Sequence, residues 1–92
     1  MRLRFTLPAA RQLDRILTTI GEQHPTGAHN VQERIRAVID VLQQQPKAGA
    51  ATARPGGRRM VVRPYSYAVA DRIGDDEIVI LGVRHTARRP LA

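Results

Sequence analysis

The segment EIVILGVRH, residues 77–85, constrains the fold more than any other, because Ile78 through Leu81 and then Val83 are apolar almost without a break. A strand open to water on one face alternates apolar with polar residues, whereas a run of this kind marks a strand covered on both faces. It is therefore expected at the centre of a sheet, and the rest of the chain must supply neighbours and cover. Gly74 and Asp75 provide a turn before it, and upstream of that turn Tyr67, Val69, Asp71 and Ile73 alternate with Ala68, Ala70 and Arg72. Earlier still, RRMVVR restarts β character until Pro64 interrupts it.

The N-terminal half supplies the cover. In RLRFT, Leu3 and Phe5 share one face while Arg2, Arg4 and Thr6 share the other, which predicts a half-buried strand over residues 2–6. Thr6 offers a capping oxygen and Pro8 suits a first helical turn, after which Ala9, Leu13, Ile16, Leu17 and Ile20 recur at helical spacing. This helix is expected from Pro8 to Gly21 or just past it. The stretch EQHPTGAHN reads as a turn, with either Thr26 or Asn30 capping a second helix, the latter with Glu33 at capping-box distance. Val31, Ile35, Val38, Ile39 and Leu42 form its apolar stripe, which ends near Gln45 before Pro46. Neither stripe can be buried by its own helix, so the helical hairpin needs a sheet to pack on. KAGAATARPGG between the halves reads as an exposed loop. The expectation is one α+β domain over residues 1–92, in the order β-α-α-β-β-β, with a helical hairpin packed on a twisted antiparallel sheet.

Composition narrows the function classes. Aromatic residues are three, Phe5, Tyr65 and Tyr67, and there is no Trp, so the core must be aliphatic. Cysteine is absent, which removes disulfides, thiolate chemistry and cysteine-based zinc sites and fits a reducing compartment. No apolar run reaches the roughly 18 residues of a membrane helix, nor is there a signal-peptide core, and the chain is read as cytoplasmic. Formal net charge is +7, and 14 of the 15 basic residues are arginine, a bias toward planar, bidentate recognition of carboxylate or phosphate. From Gln43 to Arg63 there are five basic residues and no acidic one. The expected partner is an acidic protein or a polyanion.

RFTLPAARQLDRI, HPTGA, LQQQPKAG, RRMVVRPYSYAVADRI and the terminal IVILGVRHTARRP, in this order and spacing, resemble the ParE/RelE superfamily of bacterial toxin-antitoxin systems. The closing valine, HxxR and proline resemble the ParE branch. The resemblance implies a toxin that inhibits DNA gyrase by binding and is neutralised by a ParD-like antitoxin with an acidic C-terminal segment. The RelE-like branch implies instead a ribosome-dependent mRNA endoribonuclease, with cationic side chains on the sheet and a tyrosine just beyond the last strand. Here Arg63 falls near that branch's sheet arginine, Thr86 stands where an arginine is expected, and no tyrosine follows. Asp71 stands where the family often carries tyrosine.

The arginines are the strongest candidates. Alternation places Arg59, Val61 and Arg63 on one strand face and Arg58, Met60 and Val62 on the other, while Arg72 lies among the small residues Ala68 and Ala70. A partner-binding surface is expected from Arg58, Arg59, Arg63, Arg72, Arg84, His85 and Arg88, aimed at acidic protein or nucleic-acid phosphate. The catalytic alternative rests on His85 as base or acid, with Arg63 as a phosphate cation. His24 and His29, with no cysteine nearby, read as solvated or capping residues, and Asp75, Asp76 and Glu77 as the tip of a turn. No metal or cofactor is expected. With so few aromatic rings, a general nucleic-acid-binding module would hold its ligand mainly by charge.

Overall fold

A computed structural model describes residues 2–86. The elements are β1 (Arg2–Phe5), α1 (Leu7–Gln23), α2 (Pro25–Gln44), β2 (Ala50–Ala51), β3 (Gly57–Val61), β4 (Tyr67–Ile73) and β5 (Glu77–His85). The α+β class and the helical hairpin on a sheet are as the sequence predicts. The five strands lie in the order β1-β5-β4-β3-β2. β5 is thus an interior strand, while β4 holds the middle position.

The sheet is mixed rather than antiparallel throughout. β1 runs parallel to β5, pairing Arg2 with Glu77 and Phe5 with Ile80, and every other pair is antiparallel. Alternation in RLRF indicates which side chains face inward but carries no information about strand direction, which depends on how the helical hairpin returns the chain. The loop KAGAATARPGG also gains a feature that its composition hides. Ala50 and Ala51 pair with Arg59 and Arg58 as a short edge strand.

Local chemistry sets the helix ends. The Ala9 N–H donates to Thr6 Oγ1 at 3.2 Å, so Thr6 caps α1 as its type suggests. At the corner neither Thr26 nor Asn30 caps α2. The second helix begins directly at Pro25, whose fixed φ suits the first helical position, and only His24 separates it from α1. The His24 N–H closes α1 on Ile20 O at 2.7 Å, and its carbonyl accepts from Ala28 at 2.9 Å. A Cβ on Gly27 would lie 3.2 Å from the His24 Cβ, so this abrupt corner favours a residue without a side chain there.

Both helices pack on one side of the sheet. Ala9, Val31, Ile35, Val38 and Leu42 meet Val62, Val69, Ile78, Ile80 and Val83 in one aliphatic cluster. Ile78 and Ile80 differ in parity from Val83, and strict alternation would send Val83 to the other face. A bulge resolves this: Ala70 pairs with Gly82 and Asp71 with Ile80, leaving Leu81 as the extra residue on β5. The apolar run of β5 therefore reflects a shift of phase as well as burial. Where β1 ends, the Val83 N–H donates to Oε1 of Gln12 on α1 at 3.0 Å.

Candidate functional site: the helix-free face of the sheet

Cross-strand pairing divides the predicted arginines between two faces. Val61, Ala68 and Arg84 form one row across β3, β4 and β5, and Arg59 with Ala70 forms the next. Arg72 pairs with Gly57 and Val79 in a third. Paired residues share a face, and this one lies opposite the aliphatic cluster. Arg59, Arg72 and Arg84 are exposed there around small or buried neighbours, Ala68 and Ala70. No helix among the described residues covers them. Val61, 38% exposed, adds an apolar element to the rim. At the β1 edge, Arg4 pairs with Glu77 at 3.1 Å through exposed side chains, an interaction of small energetic weight.

The remaining predicted residues lie elsewhere. Arg58 is on the helix side of β3, half-buried, where it donates to Gly49 O at 3.0 Å and Lys47 O at 3.4 Å. It fastens the segment after α2 to the sheet. Arg63 lies past the end of β3 at Val61, in the connection to β4, and so does not share a strand face with Arg59. Its carbonyl accepts from Arg34 Nε of α2 at 2.7 Å. Arg88 lies outside the described residues. His85 sits at the end of β5 with its ring edge-on to Tyr67, centroids 5.1 Å apart at 86°. Tyr67 is a residue that the sequence reading did not single out for a site. Its pairing with His85 depends on the β4–β5 register, which the turn at 74–76 and the bulge set together.

Asp71 is the buried charged side chain of the core, 1% exposed, on the helix side of β4 and paired in register with Arg58. Among the described residues, neither carboxylate oxygen has a hydrogen-bond partner. Burial raises its pKa from the ordinary value, and the Arg58 guanidinium pulls partly the other way. Among the described residues, no group of three or more histidine, aspartate or glutamate side chains is placed to hold a metal ion. No helix there is long and apolar enough to cross a membrane.

The sequence pattern of the family described as "ParE toxin of type II toxin-antitoxin system, parDE" matches residues 3–90. The chain belongs to the ParE toxin family. "Putative toxin Y4kP" of Sinorhizobium fredii (strain NBRC 101917 / NGR234) is 34% identical over 84 residues, which span 91% of this chain and 86% of that protein. Among solved structures, a chain of the chromosomal ParDE toxin-antitoxin system from P. aeruginosa superposes with a TM-score of 0.79 at 27% identity, over 92% of this chain and 95% of that one. The isolated E. coli RelE toxin superposes with a TM-score of 0.63 at 16% identity, over 96% and 86%, and so shares the fold. The chain is thus a ParE-family toxin of the type II toxin-antitoxin class. Its helix-free face carries three exposed arginines where the helical face carries the core.

Proposed function

We propose that this ParE-family chain arrests growth by binding DNA gyrase and is neutralised by a ParD-like antitoxin, whose acidic segment covers the basic surface of the toxin. The supporting observation is the face formed by Arg59, Arg72 and Arg84 around Ala68 and Ala70, with no covering element among the described residues. Arginine forks over small neighbours let a partner backbone approach closely while its carboxylates find bidentate donors. A disordered acidic segment that orders on this face cancels charge and buries a large area for its length. The Pseudomonas chain that superposes on this one comes from a ParDE system, which motivates the ParD-like partner.

The test is gyrase supercoiling of relaxed plasmid with purified, antitoxin-free chain, followed by detergent and protease to reveal trapped double-strand breaks. Lost supercoiling with linear DNA is the expected result. Normal supercoiling by gyrase in the presence of a folded, growth-arresting chain would remove gyrase as the target.

A second reading, a RelE-like mRNA endoribonuclease, has one specific observation in its favour. His85 and Tyr67 meet edge to face at the end of β4 and β5 that adjoins the connection carrying Arg63, bringing an imidazole and a phenol together. Attack of a 2'-hydroxyl needs a base, an acid and cations for the phosphorane. This reading predicts that purified chain cleaves mRNA on translating ribosomes and that His85→Ala abolishes the cleavage.

A further inference from the structure

At the opposite end of β4 from Tyr67, Arg54, Pro55, Gly57, Arg72 and Leu81 line a cavity of about 370 Å³. The Arg54 and Arg72 side chains are exposed, and neither has a hydrogen bond or ion pair among the described residues. The turn that carries Arg54 is held in place. Thr52 N–H donates to Gly57 O, Gly57 N–H to Arg54 O and Arg54 N–H to Thr52 Oγ1, at 3.0, 3.0 and 3.3 Å. The Ile73 N–H, at the end of β4, donates to Gly56 O at 3.3 Å and ties the turn to the sheet. Gly56 has φ 72°, the left-handed region, and a Cβ on Gly57 would come 2.6 Å from Thr52 Oγ1, so the turn closes this way with glycine at both positions. Leu81, the extra residue of the β5 bulge, contributes the apolar side of the cavity together with Pro55.

A pinned turn thus presents one guanidinium, and the adjacent strand another, to a single cleft with Pro and Leu in its wall. We propose that this cleft is a clamp for an acidic side chain of a peptide partner. Arg54 and Arg72 hold the carboxylate while a neighbouring apolar side chain of the peptide lies on Pro55 and Leu81. The proposal rests on the antitoxin reading above and assigns one anchor point to that acidic segment, at the far end of the face from Arg84. Two guanidiniums match a carboxylate through paired, charge-assisted hydrogen bonds. A nucleic-acid strand fits less well: no aromatic ring lines the cleft to stack a base, and a phosphodiester would leave the Pro–Leu wall against solvated sugar.

The experiment measures fluorescence anisotropy of a labelled ten-residue peptide of alternating leucine and glutamate, its glutamine counterpart and a labelled oligothymidylate. Each is titrated with the purified, antitoxin-free chain and with Arg54→Gln, Arg72→Gln and Arg11→Gln. Arg11 is exposed on α1 and controls for the loss of one positive charge. Thermal melts verify that the variants fold like the parent. The expected result is that the glutamate peptide binds the parent and R11Q alike, and that R54Q and R72Q each weaken it about tenfold, the loss of one charge-assisted pair. The glutamine peptide should bind more weakly than its glutamate counterpart.

Equal affinity of R54Q, R72Q and R11Q for the glutamate peptide, or no binding to the parent chain, overturns the clamp. A greater dependence on Arg54 and Arg72 with oligothymidylate than with the peptide overturns the peptide assignment in favour of nucleic acid. Growth arrest on expression of the parent chain reads the toxin assignment separately. Arrest with a failed peptide titration sinks the clamp alone, and a working clamp without arrest sinks the toxin reading alone.

Discussion

Arg58 and Asp71 sit opposite each other in the β3–β4 ladder, yet the guanidinium donates to the carbonyls of Gly49 and Lys47, and among the described residues neither carboxylate oxygen has a hydrogen bond. The pair is a charge interaction at the margin of an aliphatic core. Its cation secures a loop, and its anion is held in an environment that disfavours ionisation.

Asp71 should therefore make the stability depend on pH. Its folded-state pKa lies above the ordinary value, so the folded chain retains a proton that the unfolded chain releases. The contribution favouring the fold is fully present below the unfolded pKa and is lost as pH rises through the folded one. Asp71→Asn removes the ionisation while keeping the shape, and it is expected to raise the melting temperature at pH 7 with a gain that shrinks toward about pH 4. Melts across this range check it. A lower melting temperature for the variant at pH 7 would mean that the charge pair with Arg58 outweighs the desolvation.

Arg58→Gln tests the other partner. It removes the guanidinium from the Gly49 and Lys47 carbonyls and leaves Asp71 without a facing cation. Hydrogen bonds to charged groups contribute about 1.5–3 kcal/mol each at buried sites, and this one is half-buried, so a loss near about 1.5 kcal/mol is expected in urea unfolding. Hydrogen exchange should quicken at Ala50 and Ala51, because β2 is held to β3 by a two-residue ladder beside the released loop. Unchanged exchange there would show that the ladder holds the loop without Arg58.

Core and surface leucines should separate cleanly. Leu42, near the end of α2, is fully buried, whereas Leu7 at the start of α1 is 61% exposed. Leu42→Ala is expected to cost about 2–5 kcal/mol, a large share of the roughly 5–15 kcal/mol that holds a domain folded, and Leu7→Ala about 0.5 kcal/mol or less. Urea midpoints of the two variants give the comparison directly. Comparable losses would contradict the packing of α2 on β4 and β5.

These residues also show which features a sequence can reveal. Thr6 as a cap, the stripe of α2 and the alternation of β4 follow from side-chain chemistry within a few residues, and all were legible. The parallel pairing of β1 with β5, the start of α2 at Pro25 and the second phase of β5 were not. Each depends on a contact between segments distant in sequence or on a backbone geometry that several residues allow equally. For the same reason, alternation in RRMVVR could assign Arg58 and Arg59 to opposite faces, but not show that Arg58 is used by the loop after α2. The Arg63 position failed on a shorter scale, because the strand ends at Val61 and the connection through Pro64 begins two residues earlier than alternation implied. Tyr67 beside His85 was hidden because the pairing that joins them is fixed by a bulge.

The two readings of activity make opposite demands on the two faces of the sheet. If growth arrest comes from binding through the helix-free face, Arg59→Gln combined with Arg84→Gln should relieve it, while His85→Ala should leave it nearly intact. Both arginines are exposed, so their loss should leave the fold in place, which a thermal melt can verify. Because much of such an interface is charge attraction between exposed groups, target binding by the parent chain should also weaken as salt is raised. If growth arrest instead comes from RNA cleavage at the His85 end, His85→Ala should abolish it. Tyr67→Phe, which keeps the ring against the imidazole but removes the hydroxyl, should then reduce cleavage if the phenol takes part in proton transfer. Growth curves for the double arginine variant and for His85→Ala, read beside supercoiling and ribosomal mRNA cleavage assays, separate the two. Arrest that survives the arginine changes and fails with His85→Ala would move the functional centre to the opposite face of the sheet, at His85 and Tyr67.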